Sequence, residues 1–146
     1  MSAKKHLQQI EKFNCCIEHK KQLLKELSSK ILSIPSFQYS EDKVSSGGIG
    51  SGFAEDVIKK IELENEINVD IIKLEYLKND ITNQIHQLDN PIHINILFKR
   101  YVELKTFNKI SQEINYSFKQ TCRLHKKALS EFEKNVLECP IAYDVK

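Results

Sequence analysis

The sequence predicts an all-α protein, in which a long antiparallel helical hairpin with coiled-coil-like arms precedes a small helix-turn-helix head. Three observations lead to this prediction. Gly and Pro, which most often interrupt helices, number only 4 and 3 among the 146 residues. Apolar side chains recur at steps of three and four residues through most of the chain, as on one face of a helix. A single Gly- and Ser-rich stretch, SSGGIGSG, separates the two longest of these patterns.

The first arm is predicted to end near Ile34. Its apolar side chains form a coiled-coil seam, which needs a partner helix: Ile10, Phe13, Ile17, Leu24, Leu27, Ile31 and Ile34. Lys20 interrupts the seam, where its aliphatic stem can pack while the ammonium reaches water. Pro35 cannot continue a helix. Residues 35–52 are therefore predicted to be a flexible linker, and they lack the preceding strand and the Lys-Ser/Thr pair of a phosphate-binding loop.

The second arm is predicted from Phe53 to residue 89, with a stripe formed by Val57, Ile61, Ile67, Ile71, Leu74, Ile81, Ile85 and Leu88. Residues 1–34 carry 7 Lys against 3 Glu, whereas residues 54–90 carry 4 Lys against 9 acidic residues. A basic helix beside an acidic one favours pairing, and a flexible linker lets the second arm fold back antiparallel. Two helices cover only part of so broad a stripe, so we expect a homo-oligomer formed through residues 1–89.

The head is predicted over residues 90–138, followed by a tail, 139–146, to which no role is assigned. Asn90 and Pro91 are a cap and a first-turn proline, which mark a helix start. Thr106 and Ser117 are candidate N-caps for two further helices, and Asn115 between them tolerates the left-handed backbone of a tight turn. The predicted core of the head consists of Ile94, Leu97, Phe98, Tyr101, Phe107, Ile110, Ile114, Leu124, Ala128 and Phe132. Leu129 is expected on the same apolar face of the last helix, and Thr121 is expected to face inward.

Two short helices joined by a tight turn, the second one cationic, are typical of a helix-turn-helix that places its second helix in a DNA major groove. The candidate DNA-binding residues are Lys105, Thr106, Lys109, Ser117, Phe118, Lys119, Gln120, Arg123, Lys126 and Lys127. Arg123 can pair with guanine and Gln120 with adenine, while Phe118 can contact a thymine methyl group or serve only as packing. The remaining residues suit phosphates, with Lys119 able to reach either a base or a phosphate.

The run ILFKRYVELKTFNKISQEINYSFKQTCRLHKKAL, Ile96 to Leu129, resembles the promoter-reading region 4 of bacterial sigma factors. Nearly the whole chain resembles the small phage-encoded late-gene transcription regulators of the ArpU type. The matching loop residues are Asp42, Val44, Ser45, Ser46 and Gly47. The matching C-terminal residues are Tyr116, Ser117, Arg123, Leu124, His125, Ala128, Leu129, Phe132 and Glu133. Asn115, Thr121 and Cys122 depart from the residues usual in that pattern.

This resemblance implies a sequence-specific transcription regulator, encoded by a phage or prophage and controlling late genes in the cytoplasm of a bacterial host. Its partners would be double-stranded DNA and, from the sigma-like head, host RNA polymerase. Two other interpretations stay open. One is a DNA-packaging protein similar to a small terminase subunit, and the other is a coiled-coil module whose head binds a protein partner.

Catalysis has little support in the sequence. The five His residues are scattered without a familiar metal spacing, and the four Cys residues include no C-x-x-C pair. Glu62, Glu64, Glu66 and Asp70 splay around a helix and more often form a solvated or Lys-paired face. We therefore expect a non-enzyme without metal or cofactor. We also expect reduced cysteines, no signal peptide and no membrane span, because no apolar run approaches the required length of about 20 residues.

Overall fold

The computed structural model describes residues 2–33 and 49–138, and it confirms the all-α class over these residues. Helix α1 spans Ala3–Leu7, α2 spans Gln9–Leu32, and α3 spans Ile49–Ile85. Three shorter helices follow: α4 at Pro91–Leu97, α5 at Phe107–Ile114, and α6 at Phe118–Phe132. Helices α4 and α6 each continue into a π-helical turn, at Phe98–Val102 and Glu133–Leu137. None of the described helices combines the length and the apolarity needed to cross a membrane.

The helix bounds differ from the predicted ones at the linker. Helix α3 begins at Ile49 rather than at Phe53, so the end of the predicted linker is helical. A glycine inside a helix costs about 1 kcal/mol of helix stability relative to alanine, and a long helix can offset this cost. Gly52 has open space beside it, since a Cβ atom added to its backbone would contact nothing within 4 Å. The rest of the predicted linker, residues 35–48, and the predicted tail, 139–146, lie outside the described residues.

The described chain divides into two compact units, and their boundaries are not the predicted ones. We call residues 15–33 with 49–73 the hairpin unit, and residues 2–14 with 74–138 the head unit. The predicted division between residues 89 and 90 therefore falls inside the head unit. The N-terminal segment belongs there because its apolar side chains Ala3, Leu7 and Ile10 are buried among the helices that follow residue 74.

In the hairpin unit, the described parts of α2 and α3 run antiparallel. The Nζ atom of Lys20 lies 2.5 Å from Oδ2 of Asp70, and that of Lys30 lies 3.4 Å from Oδ2 of Asp56. The hydrogen bond that Lys20 donates to Asp70 is the largest of the effects that raise the pKa of Lys20. Ile17 and Ile67 are the buried apolar residues of the described part of this unit, so the two helices share a narrow seam.

The head unit holds the larger core. Its fully buried side chains come from all six helices: Leu7, Ile10, Ile81, Ile85, Ile96, Leu97, Ile110, Thr121 and Phe132. Helix α6 contacts α1, α4 and α5, and therefore lies at the centre of the unit. His6 of α1 hydrogen-bonds to the side chain of Gln84 at 2.7 Å and lies beside the ring of Phe132, with 6.0 Å between the ring centroids.

Candidate nucleic-acid interface

The local geometry of α5, the turn and α6 is the one predicted. The hydroxyl of Thr106 accepts a hydrogen bond from the backbone N–H of Lys109 at 3.3 Å, and caps α5. Asn115 ends α5 in the left-handed conformation, with φ 58° and ψ 38°. Two residues later, the hydroxyl of Ser117 accepts a bond from the N–H of Gln120 at 3.1 Å, and caps α6. Thr106 therefore starts α5, Asn115 ends it, and Ser117 starts α6.

The inner face of α6 points in the predicted direction but differs from the prediction in which residues are buried. Its buried residues are Thr121, His125, Ala128 and Phe132, at steps of four, three and four. Leu124 and Leu129, which we expected on this face with Ala128, are only half-buried. The prediction was wrong at these positions because it counted apolar residues and left out a buried polar side chain.

His125 takes the core position that Leu124 was expected to share. Its Nε2 atom lies 2.8 Å from the hydroxyl of Tyr101, which donates to Nε2 in the neutral tautomer that carries its proton on Nδ1. Its ring stacks on Tyr101 and meets the edge of Phe107, with centroid distances of 5.7 and 4.9 Å. Burial, followed by the charges of Arg100 and Lys4, lowers the pKa of His125 to about 4. His125 therefore packs in the core of the head unit.

The opposite face of α6 is polar and cationic. Residues rotate by about 100° each along an α-helix, so Arg123 lies across the axis from the buried Thr121 and Phe132. The exposed residues centred on Arg123 are Lys119, Gln120, Arg123, Lys126 and Lys127. Over residues 2–33 and 49–138, no carboxylate forms an ion pair with any of these four cations. We call these five residues the outer face of α6.

The other candidate residues are also exposed, with one exception. Phe118 is 51 % exposed at the start of α6, but the helical rotation places it on the flank nearer to Thr121 than to Arg123. Thr106, Lys109 and Ser117 are exposed. The exception is Lys105, which is half-buried in a cluster of charges and does not reach out from the surface.

Lys105 belongs to an ion-pair cluster around Glu113. Its Nζ lies 2.9 Å from carboxylate oxygens of both Glu113 and Glu103, and Lys99 pairs with Glu113 at 2.8 Å. Hydrogen bonds from Lys99 first, and then from Lys105, lower the pKa of Glu113 to about 2. The pKa of Lys105 is raised most by the hydrogen bond that it donates to Glu113, and next by the one that it donates to Glu103. The cluster neutralises the charge of Lys105, which we had expected to face phosphate.

Comparison with family models, with curated proteins and with solved structures found no match to this chain. The similarity to ArpU-type regulators therefore stays a prediction, and the function must be argued from the site itself.

Three residues beside α5 and α6 were not among the predicted DNA-binding residues. Arg100 donates from Nη1 to the carbonyl of Lys105 at 3.0 Å and lies 5.0 Å above the ring of Phe107, so it fixes the segment before α5. Leu104, inside that segment, has a left-handed φ of 57°. Tyr116 is 38 % exposed and lines one recess with Gln120, Arg123, Leu124 and Lys127. The sequence signal for Tyr116 was its position directly before Ser117, the residue that caps α6.

No metal site emerges from the structure. Within the residues that it describes, no group of three or more His, Cys, Asp and Glu side chains could hold a metal ion. The outer face of α6 presents four cations and one amide, which can bind anions and hydrogen-bonding partners.

Proposed function

We propose that this chain is a sequence-specific double-stranded DNA-binding protein that inserts α6 into the major groove and regulates transcription. The observation that supports this most strongly is the division of α6 into two faces. One face is held in the core by Thr121, His125, Ala128 and Phe132. The other presents five exposed polar side chains, four of them cationic, on a helix that is capped at its exposed start.

Base readout is assigned to the first turns of α6, since a recognition helix contacts base edges with its N-terminal residues. Arg123 has the fork of donors that pairs with O6 and N7 of guanine, and Gln120 can pair with N6 and N7 of adenine. Tyr116 borders the same recess and supplies an aromatic surface next to these two residues. Phe118, on the flank of the helix, can meet a thymine methyl group at the edge of the site.

Phosphate binding is assigned to the remaining cations, Lys109, Lys119, Lys126 and Lys127. The hydroxyls of Thr106 and Ser117 accept bonds from their own helices, so each keeps its proton available to donate to a phosphate oxygen. Lys105 is left out of this set because its charge is already balanced by Glu113 and Glu103. Each phosphate neutralised contributes about −0.9 to the slope of log affinity against log salt. Binding by four or five cations therefore gives a slope of about −4.

The resemblance to ArpU-type regulators adds the biological setting to this proposal. In that setting the chain controls late genes of a phage or prophage, and its sigma-like head can also meet the RNA polymerase of the host. DNA binding does not depend on this setting and is tested first.

The test starts with selection of binding sites from a pool of random duplex DNA, using the full chain. On the selected site, Arg123→Ala is expected to cost ~1–3 kcal/mol and to relax the preference at one base pair. Lys127→Ala should weaken binding to all sequences alike and reduce the salt slope by about 1. Lys25→Ala on α2 is the matched control, since it removes one exposed positive charge away from α6.

Two results would count against the proposal. If no sequence is enriched and binding does not depend on salt, the chain does not bind a groove, and the protein-binding interpretation becomes the better one. If a site is enriched but Arg123→Ala binds it as tightly as the parent protein, α6 is not the helix that reads it. Enrichment restricted to a packaging site, together with a ring-shaped assembly, would indicate a terminase-like role instead.

A further inference from the structure

An open recess lies along one flank of α6, beside the residues assigned to base readout. It has a volume of about 230 Å³ and is lined by Tyr116, Gln120, Arg123, Leu124 and Lys127. The four lining residues from α6 follow steps of three, one and three residues, so they form one stripe along the helix. Tyr116 adds its ring from the connection between α5 and α6. We call this the α6 recess.

The backbone that carries Tyr116 is held on both sides. Its own N–H donates to the carbonyl of Ser111 at 3.1 Å, at the end of α5. The next residue, Ser117, caps α6. Leu124, the other apolar residue of the recess, is half-buried on α6. The apolar part of the recess is therefore in place before a partner binds.

The lining of the recess combines three kinds of side chain. Arg123 and Lys127 are cations, Gln120 is an amide, and Leu124 with the ring of Tyr116 supplies apolar surface. No carboxylate is among the lining residues in the described part of the chain. Such a lining suits a partner with negative charge, a hydrogen-bonding edge and an apolar group close together. The major groove of DNA offers all three, as phosphates, base edges and the C5 methyl group of thymine.

The size of the recess limits what it can hold. Sites that bind small molecules are usually clefts of about 300–1,000 Å³ that bury most of the ligand. The α6 recess is smaller and open, so it fits the edge of one base better than a whole nucleotide.

We infer that the α6 recess binds the C5 methyl group of a thymine, and that Tyr116 is thereby a specificity-determining residue. This inference rests on the proposed insertion of α6 into the major groove. Among the groups that the four bases present there, the methyl group is the apolar one. A polar group loses hydrogen bonds to water when it lies against Leu124, whereas a methyl group is stabilised there. Because Leu124 directly follows Arg123, the thymine is expected in a base pair next to the guanine that Arg123 reads.

Replacement of thymine by deoxyuridine tests the contact, since the two bases differ only in this methyl group. The site is the one selected from random duplex DNA, and Arg123→Ala identifies the guanine. With the full parent chain, deoxyuridine next to that guanine should weaken binding about fourfold, the effect expected for one buried methyl group. Deoxyuridine outside the selected sequence is the control and should leave binding unchanged.

Variants of Tyr116 assign the contact to the recess. Tyr116→Ala should reduce the discrimination between thymine and deoxyuridine at this position to less than about twofold, whereas Tyr116→Phe keeps the ring and should retain it. Phe118→Ala is the matched control, because Phe118 is an exposed aromatic residue on the other flank of α6 and its replacement should leave this discrimination unchanged. If Phe118→Ala removes the discrimination and Tyr116→Ala does not, the methyl group contacts Phe118 and the inference is wrong.

The outcomes separate this inference from the proposed function. If no DNA sequence is enriched, both are overturned. If a sequence is enriched and Arg123 reads a guanine in it, two results overturn the inference alone. One is the absence of thymine from the neighbouring base pairs, and the other is equal binding of thymine and deoxyuridine there.

Discussion

At the scale of single residues, the buried imidazole of His125 makes the head unit sensitive to pH. Its pKa is lowered to about 4 in the folded chain, compared with about 6.5 when exposed. Above pH 6.5 the imidazole is neutral in both states and its packing contributes fully. Between about pH 6.5 and 4 the unfolded chain binds a proton that the folded chain does not, so the free energy of unfolding decreases as the pH falls.

This effect can be separated from other titrating groups by comparison with a variant. Between about pH 7.5 and pH 5, the parent protein is expected to lose ~2 kcal/mol more unfolding free energy than His125→Gln. Denaturant unfolding at a series of pH values measures the difference. A His125→Gln variant with the same pH dependence as the parent would show that His125 is not the group responsible.

At the scale of elements, the cap of α6 sets where the helix begins and how its outer face is presented. Ser117→Ala removes the hydroxyl that accepts from Gln120 and is expected to cost about 1 kcal/mol. Ser130→Ala is the control, since Ser130 is exposed within the same helix and its replacement should change stability by less than ~0.5 kcal/mol. The rate of amide hydrogen exchange in peptides from α6 measures the loss of stability in each of the two variants. Equal exchange in the two variants would mean that the cap bond does not stabilise the start of α6.

The elements of the head could be predicted from sequence because their signals are local. Thr106, Asn115 and Ser117 each act on neighbours within four residues, and all three have the predicted conformations. The burial of His125 on the inner face of α6 could not be predicted, because it depends on a bond between His125 and Tyr101, 24 residues earlier. The same holds for Lys105, since pairing with Glu113 rather than with phosphate is decided by how α5 folds back on the preceding segment.

At the scale of the whole molecule, the division into units depends on contacts between the two ends of the chain. The seam residues Ile10 and Ile17 belong to one periodic pattern, but Ile10 is buried in the head unit and Ile17 in the hairpin unit. Helical periodicity reports which side of a helix is apolar, and it does not report which partner covers that side. For this reason the arm helices could be predicted from the sequence, whereas the division that the contacts give, after residues 14 and 73, could not.

The N-terminal segment is consequently expected to stabilise the head from a distance of more than 80 residues in sequence. Leu7 is fully buried and Leu23 is 55 % exposed. Replacement by alanine is therefore expected to destabilise the head unit at Leu7 and to leave it unchanged at Leu23. Leu7→Ala should cost ~2–5 kcal/mol and accelerate hydrogen exchange in peptides from α4, α5 and α6. Leu23→Ala should leave exchange in those peptides unchanged. If Leu7→Ala also leaves it unchanged, residues 2–14 are not part of the head core, and a fragment starting at Asn90 should then fold alone.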